Sequence, residues 1–188
     1  QSGALNLAAR ALLATIATFV FFEILPHFPV GVSEVHFILG STLFLIFGVA
    51  PAAFGLAAGL LIQGLFFAPI DLPQYFMNLT SLLVPLFALS LIAKAVIAPK
   101  TAYVDLSYRQ ALMLSTSYQA GVVGWVAFWV FYGQGFGAET FASVGLFGMA
   151  YMSVIILEPL VDLAVLALAK MMRDTPASGL IQQRVYSA

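Results

Sequence analysis

The chain has no cysteine. Disulfides, thiolate metal ligation and thiol catalysis are therefore excluded, and nothing can be read about the redox state of its compartment. Charge is almost as scarce. Only 8% of the 188 residues are Asp, Glu, Lys or Arg, against about 25% in an ordinary soluble domain. Seven bases cannot build a basic tract, so nucleic acid is not a partner. The phosphate-cradling Gly-x-x-x-x-Gly-Lys-Ser/Thr loop is missing, and so are Gly-x-Ser-x-Gly, His-Glu-x-x-His and the Gly-x-Gly-x-x-Gly dinucleotide fingerprint. No nucleotide site is expected in this chain, and an enzyme is the least supported class.

Apolar side chains make up 62% of the chain, and its mean hydropathy is +1.04. A water-soluble fold has no polar surface to draw on here. Repeated apolar runs of roughly 20 residues point to spanning helices, because only a helix satisfies its own backbone within one segment in hydrocarbon. The short alternating segments of a barrel do not occur. Six spans are expected, at 5–24, 35–49, 52–67, 75–97, 109–132 and 140–172. The fold class is thus all-α, a polytopic membrane helix bundle. Residues 1–174 form one transmembrane domain and 175–188 a loose, polar cytoplasmic tail. Pro85 and Pro159 predict kinks. Gly55 and Gly59 make a small-residue face for close helix approach or for a coupling partner.

With both ends cytoplasmic, all seven bases fall inside, as the positive-inside rule requires. Tyr103, Tyr108, Trp125, Trp129 and Tyr132 then fit interfacial belts. The outer face holds His27, His36, Glu23, Glu34, Asp71 and Glu139. Such a field concentrates cations, although acidic outer loops are also what remains once bases are sorted inward.

Polar side chains inside so apolar a chain are costly unless something satisfies them. His36 at the mouth of the second segment is either a metal ligand or an interfacial cap. Glu34 and His27 are close enough in sequence to share its loop. Asn78 either caps a helix or hydrogen-bonds a ligating residue, and Gln63 is open in the same way. Glu158 and Asp162 lie four apart, on one helix face. They either bind a cation or relay protons, or, as the preferred reading, contact a partner or an Arg across the bundle.

The order of several short runs resembles a known family. These are Val35-His36 with Gly40-Ser41-Thr42, Phe47-Gly48 before Pro51, Leu61-Ile62-Gln63-Gly64-Leu65-Phe66-Phe67, Asn78, and Leu157-Glu158-Pro159-Leu160. Together they resemble the CbiM/NikM family, the membrane substrate-binding subunits of cobalt/nickel energy-coupling-factor transporters. The resemblance implies that His36 ligates the metal, that Asn78 buttresses the site, and that Glu34 or Asp71 attracts the ion. It implies seven helices and a Met-His start, so either one further span with that start is expected ahead of residue 1, or this is a member that has lost the family's metal binding. His36 is then half a site. It also implies capture of cobalt or nickel as transported substrate, with a membrane coupling subunit and ABC-type ATPases as partners, in the bacterial inner membrane. Two alternatives remain. One is a noncatalytic structural subunit of a larger membrane complex, and the other is a substrate-binding component for an organic vitamin.

Overall fold

The computed structural model describes residues 3–187. Helix α1 (Ala4–Phe19) runs into a π-helical turn, Val20–Ile24, and the extended Leu25 ends it ahead of Pro26. A small antiparallel hairpin follows, β1 (Phe28–Val30) with β2 (Ser33–Val35), in the register Phe28↔Val35 and Val30↔Ser33. Its turn needs Gly31 at φ +61°. Gly31 also lies flat on the Ser143 carbonyl, leaving no room for a Cβ.

The next element departs most from expectation. Residues 36–39 are not helical; α2 is only Gly40–Phe47, eight residues, roughly 12 Å. That cannot cross a core of about 30 Å. Leu39, at φ 51°, turns the extended stretch into the helix. Non-helical backbone at membrane depth is tolerated only when protein surrounds it. That condition holds, because His36, Ile38 and Leu39 of the extended stretch are buried, as are residues 40–46.

Gly48, at φ 89°, makes the sharp reversal into α3 (Val49–Phe66). The 3-10 segment Pro69–Gln74 leads into α4 (Tyr75–Val96), with Pro85 inside it. Helix α5 (Tyr108–Gln134) starts at a Ser107/Gln110 capping box. The last predicted span divides into α6 (Ala138–Ser153), the 3-10 turn Val154–Ile156, and α7 (Glu158–Met171). The break sits just before Pro159, which has no N–H to continue a helix.

Four helical stretches are long and apolar enough to cross a membrane: Ala4–Ile24, Val49–Phe66, Pro69–Val96 and Ala138–Met171. Helix α5 adds 27 residues of more polar helix. The chain is an all-α, multi-pass membrane bundle.

Helices α1 and α3 pack most closely. A Cβ at Gly55 would lie 2.6 Å from the Ala14 carbonyl carbon, and one at Gly59 would lie 2.7 Å from Thr18 Cβ. The Gly55/Gly59 face thus serves the close helix approach expected of it, with the chain's own first helix, and is not open to a coupling partner. At one end of the bundle, Arg10 donates to the Phe47 carbonyl (3.2 Å), Lys170 meets Asp105 (3.5 Å), and Arg184 donates to the Ala98 carbonyl (3.3 Å). Arg10, Lys170 and Arg184, three of the bases expected on one side, thus gather at a single end.

The tail is not loose over its described residues. The Gln182 backbone N–H donates to the Ile46 carbonyl (2.8 Å), and its side-chain amide donates to the Phe44 carbonyl (2.8 Å) and to that of Leu45. Val185 is fully buried. Arg184 lies over the Tyr103 ring, 5.5 Å from its centroid. Tyr103 is thus a buried packing residue, 6% exposed, and not a belt anchor.

Candidate functional site

A cavity of about 350 Å³ lies between the hairpin, the end of α3 and the start of α4. The four candidate metal-site residues each reach it from a different element. Glu34 comes from β2, His36 from the extended stretch after it, Asp71 from the 3-10 segment and Asn78 from the second turn of α4. Gln63, from the last turns of α3, joins them. The four named site residues therefore share one cavity, although 44 positions separate Glu34 from Asn78 (78 − 34). Asn78 is not a cap, since α4 begins three residues earlier with Gln74 at its N-cap position.

His36 is 9% exposed, and it precedes α2, outside every membrane-spanning helix. Its Nε2 lies 3.3 Å from Glu34 Oε2. The ring stacks on His27 with centroids 5.2 Å apart and packs against Phe22 at 4.6 Å. Burial, helped by the neighbouring His27, lowers its pKa to about 4. The imidazole is therefore neutral at pH 7, the form that ligates metals. Nε2 faces Glu34, while Nδ1 is buried without a hydrogen bond of acceptable geometry; the nearby Phe22 backbone acts on the ring in the opposite sense to burial. A carboxylate that orients one ring nitrogen while the other offers its lone pair is the usual support for a metal-ligating histidine. His27 joins this group through its ring but does not line the cavity. Among the described residues, no three His, Asp or Glu side chains lie close enough to hold a metal by themselves.

A second polar cluster lies deeper, at the start of α7. Glu158 is 0% and Asp162 1% exposed. Ser41 Oγ bridges them, 2.8 Å from Asp162 Oδ2 and 3.3 Å from Glu158 Oε1. Thr42 donates to Asp162, while Ser115 and Gln119 donate to Glu158. The preferred expectation of an Arg across the bundle is not met: among the described residues no ion pair reaches either acid. Sequence reading passed over Ser115 and Gln119 altogether and quoted Ser41 and Thr42 only as part of a motif. The available signal was polarity inside apolar helices, where a lone Ser or Gln needs a partner.

Residues 4–175 match the family described as the cobalt uptake substrate-specific transmembrane region, CbiM. The chain belongs to the CbiM family. The match covers every helix described above. Neither the curated proteins nor the solved structures compared with it give a match. As a CbiM member the chain is a transmembrane component of cobalt uptake, in a family of transporters and not of enzymes. The runs around His36, Gln63, Asn78 and Glu158 that resemble CbiM/NikM all fall within the matched residues.

Proposed function

We propose that this CbiM protein captures a divalent transition metal, cobalt or nickel, in the cavity lined by His36, Glu34, Asp71 and Asn78, and passes it towards the basic end of the bundle. In this reading His36 Nδ1 ligates the metal, Glu34 orients the ring, Asn78 supports the site and Asp71 draws in the ion. The observation that carries it is the convergence of these four side chains, from four separate elements, on one cavity around a neutral, half-satisfied imidazole. Further ligands come from outside the described residues or from water.

The basic end faces the cytoplasm of a bacterial inner membrane, by the positive-inside rule. Residues 1–174 act as the transmembrane domain and 175–188 as a cytoplasmic segment. Energy comes from ABC-type ATPases through a membrane coupling subunit, in an energy-coupling-factor assembly.

Uptake of radiolabelled cobalt and nickel by cells carrying the complete transporter tests this. His36→Ala should lower uptake at least about tenfold, in line with the loss when a ligand's support is removed. Undiminished uptake overturns the assignment. One observation favours a second reading: no three metal-binding side chains meet among the described residues. In that reading the chain is a noncatalytic subunit of a larger membrane complex. It predicts no metal by elemental analysis of protein purified in the presence of cobalt.

A further inference from the structure

The buried acids Glu158 and Asp162 have a problem that their hydrogen bonds do not solve. Four neutral side chains donate to their oxygens, yet no base neutralises them among the described residues. Two carboxylates bridged by one hydroxyl, in a dry interior, cannot both stay charged without a counter-charge. The other titratable groups within their electrostatic reach are the phenols of Tyr118 and Tyr151, which carry no positive charge.

Three further features bear on what supplies that charge. Gln119 is 0% exposed, its Nε2 is fixed 2.8 Å from Glu158 Oε2, and its Oε1 has no hydrogen-bond partner. An orphaned buried acceptor on a side chain bonded to Glu158 is a place for a positive ligand. Next, the cluster forms where two interrupted elements meet: the buried start of α2 at Gly40 and the start of α7 at Glu158, after the 3-10 break. Interrupted helices meeting in a bundle interior are where membrane transporters build ion sites. Finally, the available ligands are all oxygens, from carboxylate, hydroxyl and amide, a set that binds divalent first-row ions, cobalt and nickel more tightly than manganese. A proton on each acid would remove both charges but leave the Gln119 oxygen without a partner. A divalent ion offsets both and gives the Gln119 oxygen a partner.

We propose that Glu158, Asp162 and Gln119, with the Ser41, Thr42 and Ser115 hydroxyls, form a second cation site, an interior station for a divalent ion. It rests on the capture reading above, because the ion arriving there is the one taken up at His36. Tyr151 and Tyr118 separate the two stations. Tyr151 lines the outer cavity and lies within electrostatic range of Glu158. Tyr118 lies in the same range and reaches towards the carbonyl of Leu82, which also lines that cavity (3.5 Å).

The test uses the purified full chain dialysed against cobalt(II), with bound cobalt counted by elemental analysis. Three proteins are compared: wild type, His36→Ala, and the double variant Glu158→Gln/Asp162→Asn. His36→Ala is expected to keep a cobalt equivalent that the double variant lacks, and the double variant to keep the one that depends on His36. Wild-type protein supplies a check that needs no variant to fold. Cobalt should shift the infrared bands of buried carboxylates, and the shift should persist in His36→Ala. The interior station is overturned if His36→Ala binds no cobalt, if the double variant binds as much as wild type, or if the buried carboxyl bands follow pH and ignore cobalt. Undiminished uptake by His36→Ala overturns the capture reading separately and leaves these three outcomes readable.

Discussion

Gly40→Val is expected to lower the thermal unfolding midpoint of the purified protein by roughly 6–12 °C, corresponding to a loss of about 3 kcal/mol for a domain of this size. Gly40 opens α2, and a Cβ there would sit inside the ring of Tyr118. Tyr118 has nowhere to go. It is 0% exposed and belongs to the continuous core with Leu43, Leu82, Leu86 and Tyr151. Relief therefore requires α2 to shift, and an eight-residue helix has few contacts with which to resist. A shifted α2 also withdraws the Ser41 and Thr42 hydroxyls from Glu158 and Asp162. Gly124→Val, at a helical position where nothing lies within 4 Å of the added carbon, is the control. It should change the midpoint by no more than about 2 °C. Shortening the obstructing ring in the pair Gly40→Val/Tyr118→Leu should recover part of the loss, because neighbours that share a clash are not additive. Equal midpoints for Gly40→Val and wild type would mean that α2 does not dock against Tyr118 as described.

The second large effect concerns the tail. A helix leaves its last four carbonyls without partners. In α2 those carbonyls are half the helix, and they lie against the chain rather than in water. Gln182 reaches three of them: Phe44, which also accepts from the Gly48 N–H (3.0 Å), and Leu45 through the side-chain amide, and Ile46 through the backbone. Arg10 donates to the next, Phe47. Gln182→Leu keeps the bulk but removes the amide, leaving the part-buried Leu45 carbonyl unsatisfied at about 1–3 kcal/mol, while Phe44 keeps the Gly48 N–H (3.0 Å). The midpoint should fall by roughly 2–12 °C. Gln182→Glu should be no better, since an ionised carboxylate opposes carbonyl oxygens instead of donating to them. Protease accessibility gives an independent readout: cleavage after Arg184 should become faster in Gln182→Leu, because the anchored segment loosens. If Gln182→Leu melts with wild type and resists protease equally, the tail is not anchored through this side chain.

The membrane class was legible from composition alone, because no arrangement of 62% apolar residues can be surfaced for water. Helix positions followed from apolar runs and proline placement, with one instructive failure. The stretch 35–49 looks like a short span, yet only residues 40–47 are helical. Hydropathy reports where side chains are apolar, not whether lipid or protein surrounds them. Here protein does, so the backbone is free to be extended. The tail misled for the opposite reason. Its polar residues suggested solvent, but Gln182 and Arg184 are polar because they serve carbonyl groups of other segments.

The candidate site divides in the same way. His36, Asp71 and Asn78 could be named because a polar group in an apolar chain stands out against its background. That they share a cavity, and that Glu34 holds the His36 ring so that one nitrogen remains unsatisfied, depends on a hairpin that period-counting did not register. Strands of three residues leave too short a pattern to read.

The sequence by itself determined that this chain lies in a membrane as a helix bundle, that its bases lie on one side, and that its family is that of cobalt uptake components. Those properties are sums over residues or orders along the chain, and they need no knowledge of what touches what. Only the tertiary structure decided that α2 is an enclosed half-length helix, that the tail caps it, and that Glu158 and Asp162 face hydroxyls rather than a base. Each of these turns on contacts between residues roughly 40 to 140 positions apart. Nothing local specifies such contacts; the packing of α1 on α3 and of α2 against Tyr118 does.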